Sequence, residues 1–186
     1  MIQASDVTGA ILAGGRGTRA GGVDKGLLDV AGEPAVVRVA RALQAQVGRI
    51  IVSANRNHAA YKALGFIAVP DARPGFEGPL AGIAAVALAS DSPWLLTVPV
   101  DCIDVPAALR ATLGAAAADG VDVCVAHDGE RRQPLFALYR RECAARAAAH
   151  ANDAVWRFQD LQRCRQVTFP AGTLFANRNT VDRAPC

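Results

Sequence analysis

The sequence predicts an α/β fold with a mostly parallel central sheet and helices on both of its faces. Apolar, β-rich runs alternate with alanine-rich stretches along the chain, and residues 94–98 form a continuous apolar run between two prolines. Such alternation implies crossover connections between parallel strands. A continuous apolar run is typical of a strand that is buried on both faces. The length of 186 residues fits one domain, so we expect residues 1–186 to form a single domain.

Short apolar runs predict the strands, because each lies between glycine, proline or polar residues that are typical of turns. In chain order they are residues 9–13, 50–54, 66–70, 94–98, 122–126 and 133–139. A glycine-rich segment follows the first strand. The charged residues 127–132 predict a hairpin turn that makes the last two strands neighbours.

Four stretches predict the helices. Residues 34–46 begin with proline, which suits a helix start, and repeat apolar residues at helical spacing at Val36, Val39 and Leu43. The other three are rich in alanine, a strong helix former. They are residues 78–89, 106–118 and 141–150.

The segment after the first strand has the composition of an anion-binding loop. It contains six glycines between residues 14 and 26, together with Arg16, Arg19 and Lys25. Glycine allows backbone N–H groups to approach a ligand closely and to point into one concavity, which nearby cations reinforce. We therefore predict that this segment binds the phosphates of a nucleotide.

Two other phosphate-binding motifs fit this segment less well. The dinucleotide fingerprint G-x-G-x-x-A matches from Gly15, but the further glycines would each weaken the required helix by roughly 1 kcal/mol relative to alanine. The second strand also ends in Ser53 without an acidic residue for the ribose. A Walker A loop is absent, because Lys25 is followed by Gly26 instead of serine or threonine. A nicotinamide-dependent oxidoreductase remains an alternative.

Asp101 follows the continuous apolar strand in the segment Val98-Pro99-Val100-Asp101. Ligands of such sheets bind at the carboxyl ends of the strands, so we expect Asp101 and the glycine-rich segment at one edge. A carboxylate there suits Mg²⁺, which takes one or two protein carboxylates and completes its coordination with phosphates and water. The alternative role is to cap the helix near Pro106, and Asp104 is better placed for that.

The composition argues against several classes of protein. The net charge is +3 without a basic cluster, so no nucleic-acid partner is expected. No apolar stretch reaches eighteen residues without a charge or a breaker, so no membrane span is expected. The five cysteines contain no C-x-x-C pair, and the chain has no signal-peptide pattern. These features indicate reduced thiols and predict a cytoplasmic protein.

Taken together, the motifs make the chain similar to molybdenum cofactor guanylyltransferases, which join GMP from GTP to molybdenum-bound molybdopterin. The resemblance covers nearly the whole length. It rests on residues 12–15 (Leu-Ala-Gly-Gly), 19–26, 54–56, 78–82, 99–101, 127–131 and 177–180. It implies a three-layer Rossmann-like fold of the nucleotide-diphospho-sugar transferase type. The N-terminal part would bind GTP and the C-terminal part molybdopterin.

The resemblance also implies roles for individual residues. Contacts with GTP are implied for Leu12, Ala13, Gly14, Lys25, Asp71 and Asp101. Asp101 would also hold Mg²⁺, and Lys25 would hold the triphosphate. Arg19 would neutralise the charge that develops on the leaving pyrophosphate. Positions that shape the active site match Gly15, Arg19, Gly22, Gly78 and Gly82. Ser53 stands where the family commonly has an asparagine that contacts GTP, and we include it among the nucleotide-binding residues.

The second substrate is implied to bind the second half of the chain. Asn177 and Asn179 match the pair at the pterin end, and Arg131 and Arg132 are further candidates. Implied partners are GTP, molybdenum-molybdopterin, molybdopterin-inserting enzymes and apo-molybdoenzymes. Related cytidylyltransferases carry Leu-Ala-Ala-Gly where this chain has Leu-Ala-Gly-Gly. This difference favours guanine over cytosine as the base of the nucleotide substrate. A cytidylyl, uridylyl or sugar-phosphate transferase and a non-catalytic nucleotide-binding protein remain alternatives.

Overall fold

The computed structural model describes residues 1–14, 24–71, 78–118, 120–173 and 175. The strands in these ranges are β1 (Val7–Leu12), β2 (Asp29–Val30), β3 (Glu33–Pro34), β4 (Arg49–Ser53), β5 (Ile67–Val69), β6 (Trp94–Pro99), β7 (Val123–His127), β8 (Arg132–Arg140) and β9 (Cys164–Thr168). The helices are α1 (Ala35–Gln44), α2 (His58–Ala63), α3 (Pro79–Leu88), α4 (Leu109–Ala116), α5 (Arg141–Arg146) and α6 (Val155–Asp160). Short 3₁₀ turns span Ala4–Asp6, Lys25–Leu27 and Ala147–His150.

Seven of the described strands form one sheet in the order β5-β4-β1-β6-β8-β7-β9. Strands β5, β4, β1 and β6 run parallel to one another, and β9 runs parallel to β7. Strand β8 is antiparallel to both of its neighbours. It runs this way because residues 128–131 form the hairpin turn that joins it to β7. The expected mostly parallel sheet and the expected hairpin are both confirmed.

Helices cover both faces of the sheet, so the described chain has two hydrophobic cores. On one face Val36 of α1 and Leu109 of α4 pack with Leu96 of β6. On the other face Ile83 of α3 packs with Leu95 of β6. Every residue of β6 is buried because its side chains alternate between the two cores. The predicted three layers and the doubly buried central strand are confirmed.

Helix α3 lies in the interior with eight of its ten residues buried. A helix that is apolar on all sides is stable only when other elements surround it. It packs against β1 and β4 and also against α5. Across the described ranges, no helix combines the length and the apolar character needed to cross a lipid bilayer.

Several described elements were not predicted from the sequence because they are short or bury few side chains. Helix α2 buries Tyr61 alone among its six residues, and β9 has no fully buried residue. Helix α6 and the β2–β3 pair were also not predicted. Without a regular apolar repeat, such elements give no periodic signal.

All four predicted helices are present, and α4 and α5 are the two whose bounds differ most from the prediction. Helix α4 begins at Leu109 with Ala108 as its N-cap, three residues later than expected. The side chain of Asp104 accepts a hydrogen bond from the N–H of Val105 at 2.8 Å, so its expected capping role was wrong. Helix α5 ends at Arg146, and the remaining expected residues continue as a 3₁₀ turn.

Candidate functional site

A cavity of about 240 Å³ opens where β1, β4 and β6 end. Two backbone hydrogen bonds connect these strand ends: the N–H of Ala13 donates to the carbonyl of Ser53 at 2.9 Å, and that of Val100 to the carbonyl of Leu12 at 3.1 Å. Residues predicted from the sequence supply most of the lining. They are Leu12, Ala13, Gly14, Lys25, Ser53, Gly78 and Asp101, with Pro79, Pro99, Val100 and Leu135 completing it.

Lys25 and Asp101 form an ion pair in the cavity lining. The ammonium Nζ of Lys25 donates to Oδ2 of Asp101 at 2.9 Å. The side chains are 33% and 20% exposed, so water screens the pair, and it contributes at most about 1 kcal/mol to stability. The pair therefore brings one cation and one anion to the same place, although 76 residues separate them in the chain.

Asp71 lies next to Gly14 but does not belong to the described lining of the cavity. Its carboxylate oxygen Oδ2 accepts a hydrogen bond from Nδ2 of Asn55 at 2.7 Å, and its N–H donates to Oδ1 of Asn55 at 2.8 Å. A Cβ added to Gly14 would lie 3.9 Å from Oδ1 of Asp71. The first bond holds the carboxylate of Asp71, and the second ties the backbone of Asp71 to the same amide. Sequence reasoning assigned no role to Asn55, although a polar residue just after a predicted strand was the available signal.

Gly82 allows α3 to approach β4 beside the cavity. A Cβ at this position would lie 2.3 Å from Oγ of Ser53, closer than such atoms approach, and a tight 3.1 Å from the Cβ of Ser53. Ser53 is 1% exposed, so it has little room to move away. Gly78 precedes the helix with a φ of 99°, which favours glycine, and Pro79 occupies the first turn.

The donor set of the cavity suits a metal ion that takes most of its ligands from elsewhere. Asp101 is the carboxylate among the described lining residues, and no group of three metal-ligating side chains occurs in the described part of the chain. One carboxylate fits Mg²⁺, because that ion keeps water and substrate phosphates as ligands. Burial and then the charge of Asp101 raise the pKa of the Cys102 thiol to about 12, so Cys102 offers no thiolate.

The remaining predicted residues either lie outside the described residues or belong to the β7–β8 hairpin. Those outside the described residues are Gly15, Arg19, Gly22, Asn177 and Asn179. Arg131 and Arg132 lie at the β7–β8 hairpin and are not among the described residues that line the cavity. Nη1 of Arg132 is 2.6 Å from Oδ1 of Asp160, and Nε of Arg131 is 3.7 Å from Oδ2 of Asp128. Each arginine thus has a carboxylate neighbour.

The sequence of this chain matches one family of proteins and is similar to named members of it. Residues 9–167 match the MobA-like NTP transferase domain. A molybdenum cofactor guanylyltransferase of Bordetella petrii is 39% identical over 189 residues, which cover 97% of this chain and 96% of the relative.

Solved structures share the fold, and two of them are examples. Molybdopterin-guanine dinucleotide biosynthesis protein A from Archaeoglobus fulgidus has a TM-score of 0.69 at 18% identity, covering 87% of this chain and 83% of that chain. A Mycobacterium tuberculosis H37Rv protein in complex with manganese has a TM-score of 0.67 at 18% identity, covering 95% and 96%. The fold type expected from the sequence, that of the nucleotide-diphospho-sugar transferases, is confirmed.

Proposed function

This chain belongs to the MobA-like NTP transferase family, and we propose that it transfers GMP from GTP to the terminal phosphate of molybdenum-bound molybdopterin, releasing pyrophosphate. The relative at 39% identity over nearly the full chain is named for that activity. The single structural observation that supports the proposal is the 2.9 Å pair of Lys25 and Asp101. It lies in a cavity at the carboxyl ends of the strands, where this class of sheet binds ligands.

The reaction is a substitution at phosphorus. The terminal phosphate oxygen of molybdopterin forms a new bond to the α-phosphorus of GTP. The bond from that phosphorus to the oxygen bridging to the β-phosphate breaks, and pyrophosphate leaves with the electron pair. Both substrates are anions, so alignment and electrostatic stabilisation account for most of the catalysis.

Lys25 and Asp101 carry opposite charges, so Lys25 is suited to bind phosphate and Asp101 is suited to bind a metal cation. In the structure the two side chains neutralise each other. Arrival of a polyanion with a divalent cation gives Lys25 phosphate oxygens to contact and gives Asp101 a metal to hold. When bound, a divalent ion such as Mg²⁺ neutralises phosphate charge and fixes the in-line arrangement. A structural neighbour in complex with manganese is consistent with a divalent ion.

The nucleoside end of GTP occupies the part of the cavity formed by β1 and β4. Leu12, Ala13, Gly14 and Ser53 line this part, and the carboxylate of Asp71 beside it is held by Asn55. A fixed carboxylate is a suitable acceptor for the N–H donors of guanine. Ser53 is shorter than the asparagine of the family, which leaves more of the base contact to backbone groups.

Further roles follow from the family resemblance. Gly15, Arg19 and Gly22 complete the phosphate-binding loop, with Arg19 directed to the leaving pyrophosphate. The C-terminal part binds the pterin through Asn177 and Asn179, with molybdopterin-inserting enzymes and apo-molybdoenzymes as partners. Arg131 and Arg132 require release from their carboxylate neighbours to meet an anionic substrate.

Pyrophosphate release tests the proposal directly. Purified protein is supplied with Mg²⁺ and GTP, CTP, UTP or ATP, each with and without molybdenum-loaded molybdopterin. We expect release with GTP only when the pterin is present. Release with CTP or UTP and the pterin would indicate a cytidylyl or uridylyl transferase, and nucleotide binding without release would indicate a non-catalytic nucleotide-binding protein or a transferase with another acceptor, such as a sugar phosphate. Either result contradicts the proposal.

A further inference from the structure

Asp24, next to Lys25 in the chain, has its carboxylate enclosed by donors. The residue is 7% exposed. Its Oδ1 accepts hydrogen bonds from the N–H of Gly26 at 3.1 Å and from the hydroxyl of Tyr61 at 2.7 Å. Its Oδ2 accepts from Nδ2 of Asn57 at 3.1 Å. A buried carboxylate needs such donors, so this cluster ties the Lys25 segment to α2.

Tyr61 is the inner support of this cluster. It is fully buried and is the one residue that the six-residue helix α2 buries. Burial, followed by the hydrogen bond to Asp24, raises the pKa of its hydroxyl above the ordinary value, so the group remains a donor. A Cβ on Gly26 would lie 2.3 Å from the hydroxyl oxygen. Gly26 therefore lets the 3₁₀ turn lie directly against Tyr61.

Asn57 supports the same carboxylate from the protein surface. It precedes α2 with a φ of 56°, a left-handed conformation that asparagine tolerates better than most residues. This conformation accompanies the contact between its side-chain amide and Asp24. Asn57 itself is exposed, so replacing it disturbs no core packing.

From this arrangement we infer that Asp24, held by Tyr61 and Asn57, is a positioning residue that sets where the ammonium group of Lys25 lies. The inference rests on the proposed function, in which Lys25 contacts the triphosphate of GTP. The Lys25 side chain is flexible and partly exposed, so the position of its ammonium group depends on where the backbone holds the Cα of Lys25. Asp24 fixes it, because its backbone carbonyl accepts from the N–H of Leu27 while its side chain closes the same turn.

The arrangement explains why a buried cluster outside the cavity lining bears on substrate binding. Small displacements of a charged group lower its contribution to binding and catalysis, since both depend on preorganised geometry. Loss of the Tyr61 hydroxyl leaves the carboxylate of Asp24 with fewer donors and the turn less constrained. The expected consequence is a weaker contact with the β- and γ-phosphates, while contacts with the nucleoside stay the same.

The test compares Tyr61→Phe with the matched variant Tyr139→Phe. Tyr139 is also fully buried, and its hydroxyl accepts a hydrogen bond from Nε2 of Gln159 at 2.6 Å in the other core. We expect Tyr61→Phe to raise the KM for GTP by about tenfold and to change the Kd for GMP by less than about threefold. Tyr139→Phe should leave both constants near the wild-type values. Thermal unfolding of each variant establishes that it is folded.

A double-mutant cycle separates positioning from general stability. If Asp24 and Tyr61 act through Lys25, Tyr61→Phe has no further effect on the KM for GTP in the Lys25→Ala background. Equal effects in both backgrounds, or equal effects of Tyr61→Phe and Tyr139→Phe, overturn the inference. Should Tyr61→Phe not fold, Asn57→Gly takes its place, because glycine accepts the φ of 56°. Wild-type protein without GTP-dependent pyrophosphate release would instead overturn the proposed function.

Discussion

Replacing Asp101 by asparagine is expected to remove most of the activity while leaving the protein folded. The substitution keeps the shape of the side chain and removes its charge. The proposed metal then loses its protein ligand, and Lys25 loses its ion-pair partner in the ligand-free state. The two consequences differ greatly in size, which makes this substitution informative.

The structure allows both magnitudes to be compared. The Lys25–Asp101 pair is 33% and 20% exposed, so its loss lowers the free energy of unfolding by at most about 1 kcal/mol. In a chain of this length that corresponds to a decrease in Tm of roughly 2–4 °C. Loss of one preorganised charge at the reacting phosphates lowers kcat by roughly 10²–10³-fold, or about 3–4 kcal/mol.

The assay measures pyrophosphate release from GTP with Mg²⁺ and molybdenum-loaded molybdopterin, together with thermal unfolding. Asp104→Asn is the matched control, since Asp104 is an exposed carboxylate three residues away that bonds only locally to the N–H of Val105. We expect the control to retain wild-type turnover. Turnover by Asp101→Asn within about threefold of the control would refute the reasoning, because the loss of a metal ligand should lower turnover far more than that.

Three further predictions follow from the geometry. Lys25→Ala should weaken binding of GTP by about 2 kcal/mol and binding of guanosine hardly at all, as measured by calorimetry. Gly82→Ala should lower the free energy of unfolding, because overpacking against Ser53 costs about 1–3 kcal/mol and the higher helix propensity of alanine offsets only roughly 1 kcal/mol. Adding Ser53→Gly removes the overpacked side chain and should restore the free energy of unfolding, as measured by thermal unfolding. Burial raises the pKa of Cys102 and Cys143 to about 12, so at pH 8 both should react with iodoacetamide only after denaturation, as mass spectrometry of peptides would establish.

The central part of the fold was predictable because its signals are local. Four of the five residues at 94–98 are apolar and the fifth is Thr97, and a run of this kind is typical of a strand whose two faces are both covered. The chain order of strands and helices then fixes parallel neighbours and their common carboxyl edge. Asp101 was found in this way, since a carboxylate directly after such a strand must lie at that edge.

Elements with little burial were not predictable by the same reasoning. Helix α2 carries one buried side chain, Tyr61, and β9 is half-exposed along its length. Neither has the apolar repeat from which periodicity is read. For the same reason Asn57 and Asp24 gave no signal, although they form the cluster beside Lys25.

The amino-acid sequence by itself determined which segments become the buried strands, that the glycine-rich segment follows the first of them, and that Asp101 follows the central one. Only the tertiary structure decided that Lys25 meets Asp101, that Asn55 holds Asp71, and that Tyr61 supports Asp24. The physical reason is the range of the interactions. Strand and helix patterns depend on residues a few positions apart, whereas these contacts exist only because crossover connections bring distant segments to one edge of the sheet.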